Sequence, residues 1–345
     1  MGAVRWIGFA ACSLAAVGYA AIGNYNMTGA MLALASSLGA ANAGTITLYT
    51  SQPEADATRT VEAFKAANPG VEVEIFRSGT SDLLTKLAAE FAAGAPQPDV
   101  LLIADAVTME LLKKDNRLLA YPEADVEGLA QDSYDAERTY FGSKLITTGI
   151  AYNTAAAEKP ESWADLVKPE YKDGVVMPSP LYSGAAAYMM SGVALDPSLG
   201  WDFYTGLKAN DAITVRGNGA VLKAVAGGEK PYGILVDFMA LNARAQGSPV
   251  EFVFPSEGVT AVTEPVAILS TARNVEDGKR FVDFILSDEG QKLARDMGYL
   301  PAKASAGRPD WLPEGVEVKL MPVDIGAVVE RIEADKARFA ELFGG

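Results

Sequence analysis

The chain contains no histidine, and its single cysteine, Cys12, lies in an apolar N-terminal segment. These absences exclude much chemistry. Without imidazole there is no Ser-His or Cys-His nucleophile and no proton shuttle that titrates near neutrality. Without imidazole and a thiolate pair there is no zinc site of the usual donor set. No pair of cysteines exists to brace the fold, so its apolar core must carry the stability. Basic residues are also in short supply: 29 Lys and Arg stand against 44 Asp and Glu, for a net charge of −15. So acidic a chain lacks the basic face that nucleic-acid binding requires. G-x-S-x-G, P-loop and G-x-G-x-x-G motifs are missing, and the nearest glycine cluster, Gly217-Asn218-Gly219, lacks the rest of a nucleotide fingerprint. A hydrolase built only on Asp, Glu, Ser, Lys and Tyr, drafting Glu264 or Asp105, remains the enzymatic alternative. The reading preferred here is a binding protein with no catalytic residues, no metal and no cofactor.

What is present begins with the leader. Residues 1–43 carry one charge, Arg5, and two apolar stretches, Trp6–Gly23 and Met27–Leu38, separated by Asn24, Tyr25 and Asn26. They end in Ala41-Asn42-Ala43, an A-x-A signal, and strand-like sequence starts at Thr45. This predicts a secretory signal peptide cut after Ala43 and a periplasmic product, with a retained anchor as the alternative and Met27 as an alternative start. Cleavage removes Arg5 alone among the charged residues, so the net charge moves from −15 to −16. Beyond the leader no apolar run reaches the length of a membrane-spanning helix.

The rest alternates strand and helix. Thr45–Thr50 is β-rich; Ala57, Val61 and Phe64 recur at helical spacing; Val71–Phe76 alternates apolar and acidic residues. Ser81 is placed to cap a helix carrying Leu83, Leu84, Leu87 and Phe91 on one face, and Asp99–Ala104 is a continuous apolar strand. The βαβαβ order predicts a parallel sheet flanked by helices. The same rhythm returns at Val175–Met177 and Tyr232–Val236, and the C-terminal third is mostly helical. The expected fold class is α/β with two lobes: 44–147 and 267–345 form the first, 148–266 the second. Extended segments at 145–153 and 262–269 would form a two-strand hinge.

Several stretches carry a family resemblance: Leu48-Tyr49-Thr50-Ser51-Gln52-Pro53, Phe64-Lys65-Ala66-Ala67-Asn68-Pro69-Gly70-Val71, Arg77-Ser78-Gly79-Thr80-Ser81, Gly149-Ile150-Ala151-Tyr152-Asn153, Ser162-Trp163-Ala164-Asp165-Leu166 and Phe284-Ile285-Leu286-Ser287-Asp288-Glu289-Gly290-Gln291. Together they resemble the extracellular solute-binding proteins of ABC importers. Within these, the chain is similar to the group that holds ferric-iron-binding proteins with phosphonate- and sugar-phosphate-binding relatives. The resemblance implies the type II periplasmic binding protein fold, a monomer, and a permease in the inner membrane with its ATPase as partner. It also implies that iron-binding members would carry two adjacent tyrosines where this chain has Asp237-Phe238. Ferric ion prefers phenolate and carboxylate oxygens, so that replacement argues against iron.

Two loops suit an anion. In Arg77-Ser78-Gly79-Thr80-Ser81 and in Tyr182-Ser183-Gly184-Ala185, a strand gives way to a helix through small hydroxyl residues and glycine. A helix start offers unpaired N–H groups and partial positive charge, though either loop also reads as a plain cap. Ser51 and Gln52 follow the first strand, where α/β sheets bind ligands. Asn218 opens another helix, and Arg216 before it could grip a phosphate in bidentate fashion. Asp105 and Asp237 are candidate partners for a ligand ammonium, and Tyr182 and Phe238 for an alkyl chain or cation. A small anionic or zwitterionic organophosphorus solute fits this set. The leading expectation is 2-aminoethylphosphonate; hexose phosphate and ferric iron are the alternatives, and polyamines a more distant option.

Overall fold

The structure is a computed structural model that describes residues 44–344 apart from 313 and 316; the expected leader lies outside the described residues. The chain runs β1 (Thr45–Thr50), α1 (Glu54–Ala67), β2 (Glu72–Arg77), α2 (Thr80–Ala92), β3 (Val100–Leu102) and α3 (Ala106–Lys114), then enters the long strand β4 (Phe141–Asn153). A second series follows: β5 (Val175–Pro178), α4 (Gly184–Leu195), α5 (Gly200–Ala209), β6 (Ile213–Val215), α6 (Asn218–Ala226), β7 (Tyr232–Val236) and α7 (Asp237–Ala245). β8 (Val250–Val253) leads into β9 (Thr260–Ile268). The remainder is α8 (Val275–Leu286), α9 (Asp288–Asp296), the two-residue β10 (Leu300–Pro301) and α10 (Ile325–Phe343).

All ten strands share one mixed sheet in the order β2-β1-β3-β9-β4-β7-β5-β6, with β8 and β10 also on β4. Its two ends are parallel: β1 pairs with β2 and β3, and β5 with β6 and β7. Parallel strands need crossover helices, which cover the faces, so β3 and β7 read as near-continuous apolar runs. The middle is antiparallel. β4 pairs with β9 from Phe141↔Val266 to Thr148↔Thr260, and the register shifts between Gly142 and Leu145. Each end has its own apolar packing. Phe64, Phe281, Ile46 and Val100 share one cluster, whereas Trp163, Phe203, Met190 and Val225 share another.

The irregularity in β4 falls on Ser143 and Lys144. A bulge redirects side chains, and here it goes with an interior Lys144. Its Nζ lies 2.7 Å from Oε2 of Glu264 on β9, with the two side chains 3% and 2% exposed. Gln52 Nε2 donates to the same oxygen at 3.1 Å, and the Ser143 hydroxyl donates to the Glu264 carbonyl oxygen at 2.5 Å. The Tyr299 ring lies 3.9 Å from the Lys144 ammonium. A pair so thoroughly desolvated stands only because each charge has its counter-ion, the carboxylate a further donor in Gln52 and the ammonium the face of the Tyr299 ring.

The residues after β9 divide their packing between the two clusters. α8 joins that of Phe64 and Ile46 through Phe281, Val282 and Phe284. α10 instead places Val328, Ile332 and Phe339 in the cluster of the second half, and it touches α4, α3 and α5. The cause is α4, whose sequence GAAAYMMSGVAL is apolar on nearly every face and requires cover on both sides.

Removing one member of the buried pair should be severe. Lys144→Met leaves Glu264 buried without a counter-ion and should lower unfolding free energy by about 3–5 kcal/mol in urea titration. Lys144→Met with Glu264→Met should recover much of that loss.

Candidate functional site

Three helices begin around one cavity of about 390 Å³. α2 starts after Gly79, α4 after Ser183 and α6 after Gly217, each at the end of a β-strand connection. The first-turn N–H groups of a helix have no intrahelical acceptor and carry the positive end of its dipole. At α4, Ser183 Oγ accepts from the Ala186 N–H at 3.3 Å, while Gly184 and Ala185 line the cavity. At α2 and α6 the cap residue is glycine and offers no side-chain acceptor. Asn218 Nδ2 donates to Ser183 Oγ at 3.3 Å, and its Oδ1 is buried with no partner.

Two cations join these donors. Arg77 lines the cavity while its Nε donates to the Gln52 carbonyl at 2.7 Å. Arg216 lines it from the other half, stacks over the Tyr182 ring at 4.5 Å, and meets Asp82 Oδ2 at 2.6 Å. Ser51 Oγ accepts from the Ala104 N–H at 2.8 Å, which leaves its proton for another acceptor. The lining is completed by Glu54, Glu264 and the aromatic pair Phe238 and Tyr299, whose ring centroids are 4.1 Å apart. The Tyr299 hydroxyl donates to Asp56 at 2.6 Å. Burial, with Glu264 and Asp56 nearby, pushes this phenol well above its ordinary range, so it stays protonated.

The two halves meet across the cavity mouth. The Ser81 N–H donates to the Tyr182 carbonyl at 3.3 Å, and Arg216 reaches Asp82. Glycine makes the approach possible at two points. A Cβ on Gly79 would fall 2.4 Å from the Tyr182 ring, and one on Gly184 would fall 2.2 Å from Asp105 Oδ2 and 2.3 Å from the Ala104 carbonyl. Each half thus supplies a glycine that receives a side chain of the other.

Of the residues singled out from sequence, Ser51, Gly79, Thr80, Tyr182, Ser183, Gly184, Ala185, Arg216, Asn218 and Phe238 line this cavity. Five do not. Gln52 is 1% exposed and turned toward Glu264. The Ser78 hydroxyl donates to Asp82 at 3.0 Å. Ser81, expected as a cap, is the second residue of α2, and it faces a separate small cavity with Asp105. Asp105 caps α3 by accepting from the Thr108 N–H at 2.6 Å. Asp237 is the first residue of α7 and 1% exposed. It accepts from the Thr147 hydroxyl and the Phe238 N–H, each at 2.7 Å. Burial pushes its carboxyl up to about 7. The two carboxylates assigned to a ligand ammonium are therefore outside the cavity, and Glu54 and Glu264 are inside it. Sequence reasoning passed over Glu54, Arg77 and Tyr299 as site residues. A charge inside the apolar run Val262–Leu269 was a usable signal for Glu264, since a buried carboxylate is rare without a role or partner. Tyr299 gave no signal, because only the tertiary fold brings it beneath Phe238.

Residues 49–292 match the family model of the bacterial extracellular solute-binding proteins. A probable ABC transporter periplasmic-binding protein, y4fP of Sinorhizobium fredii, is 26% identical over 314 residues, covering 85% of this chain and 84% of that one. The spermidine/putrescine-binding periplasmic protein of Salmonella typhimurium is 31% identical over 180 residues, 48% of this chain and 50% of that one. Among solved structures, the periplasmic binding protein AfuA of Actinobacillus pleuropneumoniae, with exogenous fructose-6-phosphate bound, superposes with a TM-score of 0.77. It is 22% identical, covering 86% of this chain and 98% of that one. With its family model matched over most of its length, on a sheet whose two ends close around a single cleft, the chain belongs to the bacterial extracellular solute-binding proteins, substrate-binding components of ABC importers.

Proposed function

We propose that this protein captures a small organic phosphate or phosphonate in the cleft and hands it, as a monomer, to a membrane permease. One observation carries the reading: three helix N-termini, the hydroxyl residues Ser51, Thr80 and Ser183, and two arginines converge on one cavity. Within that class the geometry favours a phosphate ester with a hydroxylated body, of hexose-phosphate size, over 2-aminoethylphosphonate. Asp105 and Asp237 do not line the cavity, and Glu264 is already balanced by Lys144 at 2.7 Å. Glu54 shares the cavity with Arg77 and Arg216, so little net negative charge remains for an ammonium. Glu54, Glu264 and the unpartnered Asn218 Oδ1 are acceptors suited to sugar hydroxyls, and Phe238 and Tyr299 give an apolar face to a ring. About 390 Å³ leaves room for such a body. The fructose-6-phosphate held by AfuA supports the same choice. A polyamine fits poorly, because the helix starts and Arg77 and Arg216 oppose a cation. Ferric ion fits poorly too. The Tyr299 phenol is held protonated, and no group of three or more acidic, His or Cys side chains suited to a metal occurs among the described residues.

In this reading 44–147, with most of 267–345, moves against 148–266 by bending in β4 and β9. Ligand draws the equilibrium toward closure by its better contacts in the closed state.

Calorimetry of ligand-stripped protein is the direct test. Fructose 6-phosphate should bind one to one, 2-aminoethylphosphonate more weakly, and putrescine and ferric citrate not at all; binding of either of the last two alone would overturn the reading. Arg77→Ala should weaken phosphate-ester binding about 10- to 100-fold, the worth of a charge-assisted hydrogen bond. Thr80→Ala and Ser183→Ala should weaken it less, with unchanged melting. Gly184→Ala should leave the fold intact yet impair capture, because its Cβ meets Asp105 and Ala104 only when the halves are together.

A further inference from the structure

Asp105 has no part in the ligand cavity, yet its backbone is held at φ 151° and ψ 140°, a conformation that residues other than glycine rarely adopt. The strain occurs at the turn from β3 into α3, and it holds the side chain at the seam between the halves. There the carboxylate lines a separate cavity of about 40 Å³ where α2, α3, α4 and α10 meet. Oδ1 accepts from the Thr108 N–H; Oδ2 lies against Gly184, the first residue of α4 in the opposite half. The residue is 4% exposed.

Its surroundings do little to compensate. α10 contributes Lys336, whose ammonium is 2.8 Å from Glu333 Oε1 of the same helix, so a cation and an anion face the cavity together. α4 contributes the Tyr188 phenol, which burial and the Asp105 charge push up to about 12. α2 contributes Thr80 and Ser81, and α3 contributes Thr108; none of these is charged. Desolvation therefore dominates and raises the Asp105 carboxyl from its ordinary 3.8 to about 6, against smaller opposing effects of Thr108 and Lys336.

We propose that Asp105 is a closure-controlling residue: bringing the halves together buries its carboxylate against Gly184, so closing over a ligand takes up a proton that opening releases. The inference rests on the reading of two halves that close over a solute. The sign follows from linkage. The closed arrangement holds the proton more tightly than an open one in which Asp105 returns to water. Closure is therefore opposed above about pH 6 and favoured as pH falls through that value. Between pH 8 and pH 5 a shift of about two units changes the closure equilibrium about tenfold. Asp237 also titrates near neutrality and accepts from Thr147 on β4, across the boundary of the two halves, so the Asp105→Asn variant is needed to separate its contribution from that of Asp105.

Small-angle scattering of the ligand-free full-length mature protein tests this without any ligand, so its outcome is independent of the phosphate reading. The radius of gyration of the wild type should fall from pH 8 to pH 5. Asp105→Asn keeps an N-cap on α3 and should be contracted at both pH values. Gly184→Ala, which obstructs the seam, should stay expanded at both. A wild type with the same radius at both pH values, or an Asp105→Asn variant that contracts with pH as the wild type does, would overturn the proposal.

Discussion

The ion pair of Lys144 and Glu264 ties together the two strands that the whole molecule shares. β4 and β9 form the middle one of three antiparallel pairings, β3–β9, β9–β4 and β4–β7, that join the two parallel ends along the main path of the sheet. Their pairing is interrupted at the residues that place Lys144 inside. Two opposite charges that are each nearly fully buried cannot be separated cheaply, so the register of β4 against β9 is pinned at this point. The same pair forms part of the cavity lining. Glu264 faces the ligand space, Lys144 stands over Tyr299, and Tyr299 packs at a tilt against Phe238. The connection between the halves and the floor of the site are one piece of structure.

Around that floor the site is mostly backbone. Helix starts, glycine and small hydroxyls supply the donors, and only Arg77 and Arg216 bring full positive charge. This arrangement allows an acidic protein to hold an anion: the attraction is local and comes from oriented N–H groups, while the net negative charge is spread over the outer surface. Glycine also decides how near the halves come. Tyr182 fits onto Gly79, and Asp105 fits against Gly184, in reciprocal fashion. Neither contact tolerates a larger residue without parting the seam.

Much of the fold was legible in the sequence. The βαβ rhythm, the apolar strands at Asp99–Ala104 and Tyr232–Val236 and the helix over Val275–Leu286 all follow from local periodicity, and the structure places elements there. The helix starts near Ser183 and Asn218 were legible for the same reason, since cap and turn chemistry is local, whereas the helix expected to be capped by Ser81 begins one residue earlier, at Thr80. The failures are informative. Asp105 and Asp237 follow strands in the manner of ligand-binding residues, yet one caps a helix at the seam and the other is turned onto Thr147. Strand ends give a position along the chain but not the direction in which a side chain points.

The sequence by itself determined the class of protein and the chemistry of its loops. An absence of His and a lone Cys, together with acidic charge, alternating elements and small hydroxyl residues before helices, are properties of composition and of neighbours within a few residues. The tertiary structure alone decided which of these loops face one another, that Glu264 is paired with Lys144, that Tyr299 lies under the ligand space, and that α10 crosses to the second half. Those facts depend on contacts between residues from 100 to more than 200 positions apart, such as Gln52 with Glu264 and Tyr299 with Asp56. No local pattern encodes a contact of that separation; it arises from packing the whole core at once.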